Sequence, residues 1–73
     1  MEIISTIQKQ IDKCKNIYEV NDILEDNLYL WNIGEIIQFT FKNKSYQFWI
    51  ADSGKSDEPQ NGNYPEIRDL KKI

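Results

Sequence analysis

Few residues in this chain have side chains suited to catalysis or metal binding, and none has the partners that such chemistry needs. The sequence of 73 residues contains no histidine and a single cysteine, Cys14. A nucleophilic cysteine needs a neighbouring base, most often a histidine, to form its thiolate. One cysteine also excludes an internal disulfide and a zinc site built from several thiolates. We therefore expect a protein that is not an enzyme and holds no cofactor or metal, with Cys14 packed as a small apolar side chain.

Two short motifs near residue 55 are similar to ligand-binding loops, but their spacing fits neither type. Gly54-Lys55-Ser56 matches the end of a phosphate-binding loop, which also requires a glycine where this chain has Trp49. The carboxylates of Asp52, Asp57 and Glu58 do not follow the alternate spacing of a calcium-binding loop. Neither motif predicts a site.

The strongest candidate for function is an acidic run with no basic residue between Lys15 and Lys42. Its five carboxylates give this window a local charge of about −5, whereas the whole chain carries −3. On a helix, residues three and four apart share one flank, so Glu19, Asp22 and Glu25 or Asp26 would form a row that can dock on a basic protein surface. The alternative is a solvated helix face without a partner. The five residues are Glu19, Asp22, Glu25, Asp26 and Glu35.

Aromatic residues form a second candidate surface. If Phe39 and Phe48 face the core, the period of a strand places Trp49 on the opposite face of the sheet. Tyr29 and Trp31 are expected to join it, and exposed Trp and Tyr are typical anchors of protein interfaces. Three arrangements remain open: an exposed anchor patch, a C-terminal helix that covers it, or self-pairing of this face in a homodimer.

The elements that position these residues begin with an N-terminal helical region. Ile4, Ile7, Ile11, Cys14 and Tyr18 recur every three or four residues, the period of an amphipathic helix. This apolar stripe shifts by one position at residues 15–16. This pattern predicts either two short helices, the second ending near residue 27, or one bent helix over about residues 2–26.

From residue 28 onward the period changes to two, which predicts three antiparallel strands over residues 28–33, 35–41 and 45–51. The tight turn of the second hairpin is expected around Asn43-Lys44. Only an even-numbered loop keeps the apolar side chains of both strands on one face. The predicted pairs are Phe41 with Tyr46, Phe39 with Phe48 and Ile37 with Ile50.

The turn at Gly34 decides which residues of the first predicted strand face the core. A two-residue turn places Leu28 and Leu30 inside, whereas a three-residue turn places Tyr29 and Trp31 inside. We expect the leucines inside, because Tyr and Trp tolerate a partly wet environment better.

The C-terminal third predicts a flexible polar loop over residues 52–64, followed by a short helix. Pro65 suits the first helical position, and Ile67, Leu70 and Ile73 recur every three residues. The predicted fold is a single α+β domain over residues 1–73. In it, an N-terminal helix, or two short helices, packs on a three-stranded antiparallel meander, with a short C-terminal helix.

Composition narrows the function classes further. A net charge of −3 and a pI of about 4.8 argue against direct binding of nucleic acid. No apolar run is long enough to span a membrane, no signal peptide is evident, and a lone cysteine suits the cytoplasm. In size, charge and composition, the chain is similar to small acidic inhibitors carried by phages and mobile elements, which include anti-CRISPR proteins and DNA mimics. That resemblance implies an inhibitor that covers a basic, nucleic-acid-binding surface of a larger protein.

The sequence therefore predicts a protein-binding module with a basic protein partner and no contact with membranes. One alternative is a nucleotide binder with sites between subunits, in which Lys42, Lys44 or Lys55 contacts the phosphates. The other alternative is a structural homo-oligomer. The predicted partner-binding residues are Glu19, Asp22, Glu25, Asp26, Tyr29, Trp31 and Trp49.

Overall fold

A computed structural model describes residues 1–52 and 64–73 of the chain. Two helices precede one antiparallel sheet with strand order β1-β2-β3. The predicted α+β fold is confirmed, with two short helices in place of one bent helix. Residues 53–63, most of the predicted polar loop, lie outside the described residues. The elements are α1 (Ser5–Asp12), α2 (Ile17–Asp26), a short 3-10 helix (Leu28–Leu30), β1 (Ile36–Phe41), β2 (Lys44–Asp52) and β3 (Pro65–Lys72).

The two helices are separate because Asn16 caps the start of α2. Its backbone is extended, and its Oδ1 accepts a hydrogen bond from the N–H of Glu19 at 3.0 Å. This bond satisfies one of the backbone donors that a helix leaves free at its first turn. Each helix buries an apolar stripe against the sheet: Ile7 and Ile11 from α1, Val20 and Leu24 from α2.

The predicted hairpin is present, but its register differs from the predicted one by two residues. Lys42 and Asn43 form the turn with φ values of 51° and 66°. Two consecutive left-handed residues are typical of the two-residue turn whose twist matches that of the strands. Phe41 therefore pairs with Lys44 and not with Tyr46. Because the shift is an even number of residues, the predicted set still faces the core: Ile37, Phe39, Phe41, Tyr46, Phe48 and Ile50.

The predicted C-terminal helix is wrong, because this segment is the strand β3. The pairing of β3 with β2 shifts by one residue between Gln47 and Trp49. At this shift Asp69 adopts a left-handed conformation with φ of 55°, and the extra residue forms a β-bulge. The bulge lets Ile67 and Leu70, three residues apart, both pack against the core. The bulge therefore explains why core-facing residues of a strand have the three-residue spacing from which a helix was predicted.

The predicted strand over residues 28–33 is also wrong. Leu28–Leu30 instead form one turn of 3-10 helix directly after α2. A tight turn follows, in which the N–H of Glu35 donates to the carbonyl of Asn32 at 3.1 Å. Gly34 stands in this turn with φ of 98°, a conformation that glycine adopts without the steric cost of a side chain. The chain thus enters β1 from a turn and not from a neighbouring strand.

The edge of β1 that this strand would have needed is occupied by the N-terminal segment and α1. The N–H of Ile3 donates to the carbonyl of Gln38 at 2.8 Å, and the N–H of Gln38 donates to the carbonyl of Met1 at 2.8 Å. Further along, the Gln8 side chain binds both backbone groups of Thr40. Its Nε2 donates to the Thr40 carbonyl at 2.8 Å, and its Oε1 accepts from the Thr40 N–H at 3.1 Å. The third strand of the sheet is therefore added on the other side, next to β2.

Candidate functional site

Three exposed carboxylates lie together on the solvent side of α2, and we call this set the acidic face: Asp22, Glu25 and Asp26. Val20 and Leu24 face the core from the opposite side of the helix. Within residues 1–52 and 64–73, no ion pair involves any of the three carboxylates, since the one ion pair found there joins Arg68 to Glu66. The acidic face is therefore an uncompensated negative charge on a rigid element.

Glu19, the fourth predicted carboxylate of α2, is held by the start of the helix itself. Its Oε2 accepts a hydrogen bond from the N–H of Lys15 at 3.3 Å, and its own N–H donates to Asn16 Oδ1 at 3.0 Å. This reciprocal pair is a variant of the capping box. A negative charge in the first helical turn also interacts favourably with the helix dipole. Glu19 thus stabilises the helix that presents the acidic face.

Two tyrosines flank the acidic face along the chain. Tyr18 and Tyr29 are each 79% exposed. The expectation that Tyr18 belongs to the buried stripe is wrong, because the stripe begins again in α2 at a new position after the Asn16 cap. Tyr18 stands four residues before Asp22, so the two share one side of α2. That spacing was the signal in the sequence that would have placed Tyr18 beside the carboxylates.

Trp31 lies in the core and does not belong to any exposed surface. Its side chain is only 6% exposed, and its ring packs edge-on against Phe48 with the centroids 5.3 Å apart. The expectation of an exposed Trp31 on the outer sheet face is therefore wrong. The outward orientation of Trp31 was inferred from a predicted strand, but the chain forms a 3-10 turn at Leu28–Leu30 instead.

Trp49 lies on the face of the sheet that points away from the helices, as the strand period predicted. Its cross-strand partners are Ile36, which is 50% exposed, and Arg68. The side chain is half-buried, and its Nε1 donates to Asp69 Oδ2 at 2.8 Å. Since α2 covers the other face, one flat interface cannot contain both Trp49 and the acidic face. The structure therefore separates the two predicted features.

Cys14 packs at the edge of the core between the two helices. Partial burial raises the pKa of its thiol, and the negative charges of Glu19 and Asp22 raise this pKa further. The Sγ donates to the carbonyl of Gln10 at 3.5 Å. A raised pKa keeps the thiol protonated at neutral pH, which makes it a poor nucleophile.

In residues 1–52 and 64–73, no three His, Cys, Asp or Glu side chains form a group that could hold a metal ion. No helix in this part of the chain combines the length and the apolar character needed to cross a bilayer.

Comparison with known proteins does not assign the chain to a family. No protein-family model matches it, and no match was found among curated proteins or solved structures.

Proposed function

We propose that this protein is a non-enzymatic binding module that occludes a basic, nucleic-acid-binding surface of a larger protein. The observation that carries the proposal is the acidic face, with three exposed carboxylates that have no cationic partner in the described part of the chain. The flanking Tyr18 and Tyr29, each 79% exposed, supply the aromatic contact area.

The arrangement of the acidic face matches what a basic groove recognises. Asp22 is three residues before Glu25 and four before Asp26, so the three carboxylates are neighbours on the helix surface. Like-charged pairs at this spacing cost about 0.2–0.5 kcal/mol each in an isolated helix. A cationic surface removes this repulsion on binding and also attracts the acidic face over distance, an effect that salt weakens.

The partner class follows from this charge and from the aromatic residues beside it. Tyrosine contributes a large, rigid contact area together with a polar hydroxyl, which suits the rim of a polar interface. A row of carboxylates on a helix can occupy positions that phosphates take in a nucleic acid. The proposal thus keeps the type inferred from the sequence, an inhibitor such as phages and mobile elements carry, with anti-CRISPR proteins as one example. Trp49 is not part of this interface.

A pull-down at low and high salt tests the proposal. The tagged protein is incubated with a bacterial lysate, and the retained proteins are identified by mass spectrometry. The test variant is the double charge reversal Asp22→Lys with Glu25→Lys. Its control is Glu2→Lys with Asp12→Lys, which changes the net charge equally at two exposed positions outside α2.

We expect a nucleic-acid-binding protein to be retained by the parent and the control at low salt, and to be lost by the test variant. Addition of a nucleic acid ligand of the captured protein should release it, because both ligands compete for one basic surface. Equal retention by the parent and the test variant would contradict the proposal. An empty pull-down together with a dimer in light scattering would favour the homo-oligomer alternative.

A further inference from the structure

The fold collects six lysines at the end of the molecule that contains the β1–β2 turn, and we call this set the lysine end. In the sequence they occur as three separate pairs, the first and the last nearly 60 residues apart. The first pair follows α1, the second lies in the β1–β2 turn and at the start of β2, and the third ends β3: Lys13 and Lys15, Lys42 and Lys44, Lys71 and Lys72.

Direct contacts and strand register join the three pairs. The Nζ of Lys42 donates to the carbonyl of Lys15 at 2.5 Å. Asp12 and Cys14, the neighbours of Lys13, line one surface groove together with Lys42 and Asn43 of the turn.

The strand register brings the third pair to the same end of the sheet. Lys72 lies opposite Tyr46 on β2, and Lys71 lies opposite Gln47. Lys44, two residues before Tyr46 on the same strand, pairs with Phe41. Lys44 and Lys72 are therefore diagonal neighbours on adjacent strands, a placement that corresponds to about 7–8 Å.

The positive charge of the lysine end is not neutralised by nearby carboxylates. No ion pair in residues 1–52 and 64–73 involves any of the six ammonium groups. Three carboxylates lie near this end. Asp12 accepts a hydrogen bond from the Gln8 side chain and Glu19 accepts one from the Lys15 N–H. Glu2 lines a surface groove together with Ser45 and Ile73. The acidic residues Glu25, Glu35 and Glu66 belong to the opposite end of the elements, where α2 ends and β1 and β3 begin. The six lysines outnumber the carboxylates near them, so this end of the molecule carries an excess of positive charge.

We propose that the lysine end binds the phosphate backbone of a nucleic acid strand. The net charge of −3 predicted no such binding, but a net charge describes the whole surface and not one end of it. A polyanion experiences the local potential of the surface that it contacts, and the acidic residues at the other end orient the protein on it. The proposal uses none of the residues of the acidic face, so it stands apart from the proposed function.

The residue types at the lysine end favour phosphates over a folded protein partner. Lysine is a flexible point charge that attracts phosphate without fixing a geometry, and such contacts bind without reading sequence. The turn residue Asn43 and the neighbouring Ser45 are polar and exposed. Apart from the terminal Ile73, which is 65% exposed, no large exposed hydrophobic side chain lies on β1, β2 or β3 beside these lysines. A stable protein interface needs such apolar anchors at its centre, whereas a phosphate backbone does not.

Fluorescence anisotropy with a labelled oligothymidylate tests the proposal, with polyglutamate as the competing polyanion. The test variant combines Lys44→Gln, Lys71→Gln and Lys72→Gln, and leaves Lys42, which is hydrogen-bonded to the chain, in place. The matched variant replaces the same three lysines by arginine and keeps the charge. A third variant, Asp22→Asn with Glu25→Gln and Asp26→Asn, changes the net charge by the same amount in the opposite direction. Circular dichroism checks that all three are folded.

We expect the parent to bind the oligonucleotide with an affinity that falls steeply between about 50 and 200 mM salt. Loss of three phosphate contacts should weaken binding at least ~10-fold at the lower salt and reduce the slope of log K against log salt by about 2. The arginine variant should bind like the parent. Absence of oligonucleotide binding by the parent would overturn the proposal, and so would equally tight binding of polyglutamate. The proposal would also fail if the acidic-face variant bound more tightly than the parent by the same factor by which the glutamine variant bound more weakly. Binding would then follow net charge alone.

Discussion

Replacement of Trp31 tests whether this residue is a core residue or an exposed anchor. Its side chain is 6% exposed and packs edge-on against Phe48, which is fully buried. Trp→Ala at such a position costs about 3–5 kcal/mol, because both the buried area and the packing around the cavity are lost. A domain of 73 residues has a total stability of roughly 4–11 kcal/mol. Trp31→Ala should therefore remove at least about a quarter of the total stability, and all of it if the parent lies at the lower end of that range.

A milder variant keeps the prediction measurable if the alanine variant does not fold. Trp31→Phe retains a ring against Phe48 and should cost about 1–2 kcal/mol. With a urea m-value of about 1 kcal/mol/M for so small a domain, the unfolding midpoint should fall by about 1–2 M. Far-UV circular dichroism is the suitable probe, because fluorescence changes with each tryptophan that is removed.

Trp49→Phe is the matched control, since it makes the same substitution on the outer face of the sheet. It removes the hydrogen bond from Nε1 to Asp69, which is worth about 0.5–1.5 kcal/mol, but leaves the core intact. The midpoint should therefore fall less than in Trp31→Phe. If Trp31→Ala unfolded at the same urea concentration as the parent, the assignment of Trp31 to the core would be refuted.

Two further predictions concern the edge of β1 and the thiol. Gln8→Ala removes both hydrogen bonds to the Thr40 backbone and should cost about 1–2 kcal/mol and accelerate hydrogen exchange of the Thr40 amide, as measured by NMR. Unchanged exchange at Thr40 would show that the Gln8 side chain does not close this edge. For Cys14, the pH midpoint of alkylation should lie above that of a cysteine in an unstructured peptide, and Glu19→Gln with Asp22→Asn should lower it. Because the folded thiol keeps its proton to higher pH than the unfolded thiol, its contribution to stability is present at neutral pH and is lost as the pH rises through the thiol range. A midpoint equal to that of the peptide would contradict the burial of this group.

The sequence by itself determined the features that depend on local periodicity. The three-to-four-residue spacing of apolar residues predicted the helical region, and the alternation in residues 35–51 predicted the hairpin and its core-facing side chains. The register was predicted two residues away from the observed one, because loops of two and four residues preserve the same faces. The alternation of apolar residues cannot distinguish a two-residue loop from a four-residue loop. The left-handed backbone at Lys42 and Asn43 selects the shorter loop.

The tertiary structure decided which segments pair and which surfaces come together. Residues 28–33 have an alternating pattern, but the edge of β1 is taken by the N-terminal segment and Gln8, so the third strand is β3. The bulge at Asp69 gives β3 a spacing that resembles a helix. Pairings between distant segments depend on competition for sheet edges, which local patterns do not record. For the same reason the sequence showed the acidic run of α2, whose members are neighbours along one helix, but not the lysine end, whose members only the fold brings together.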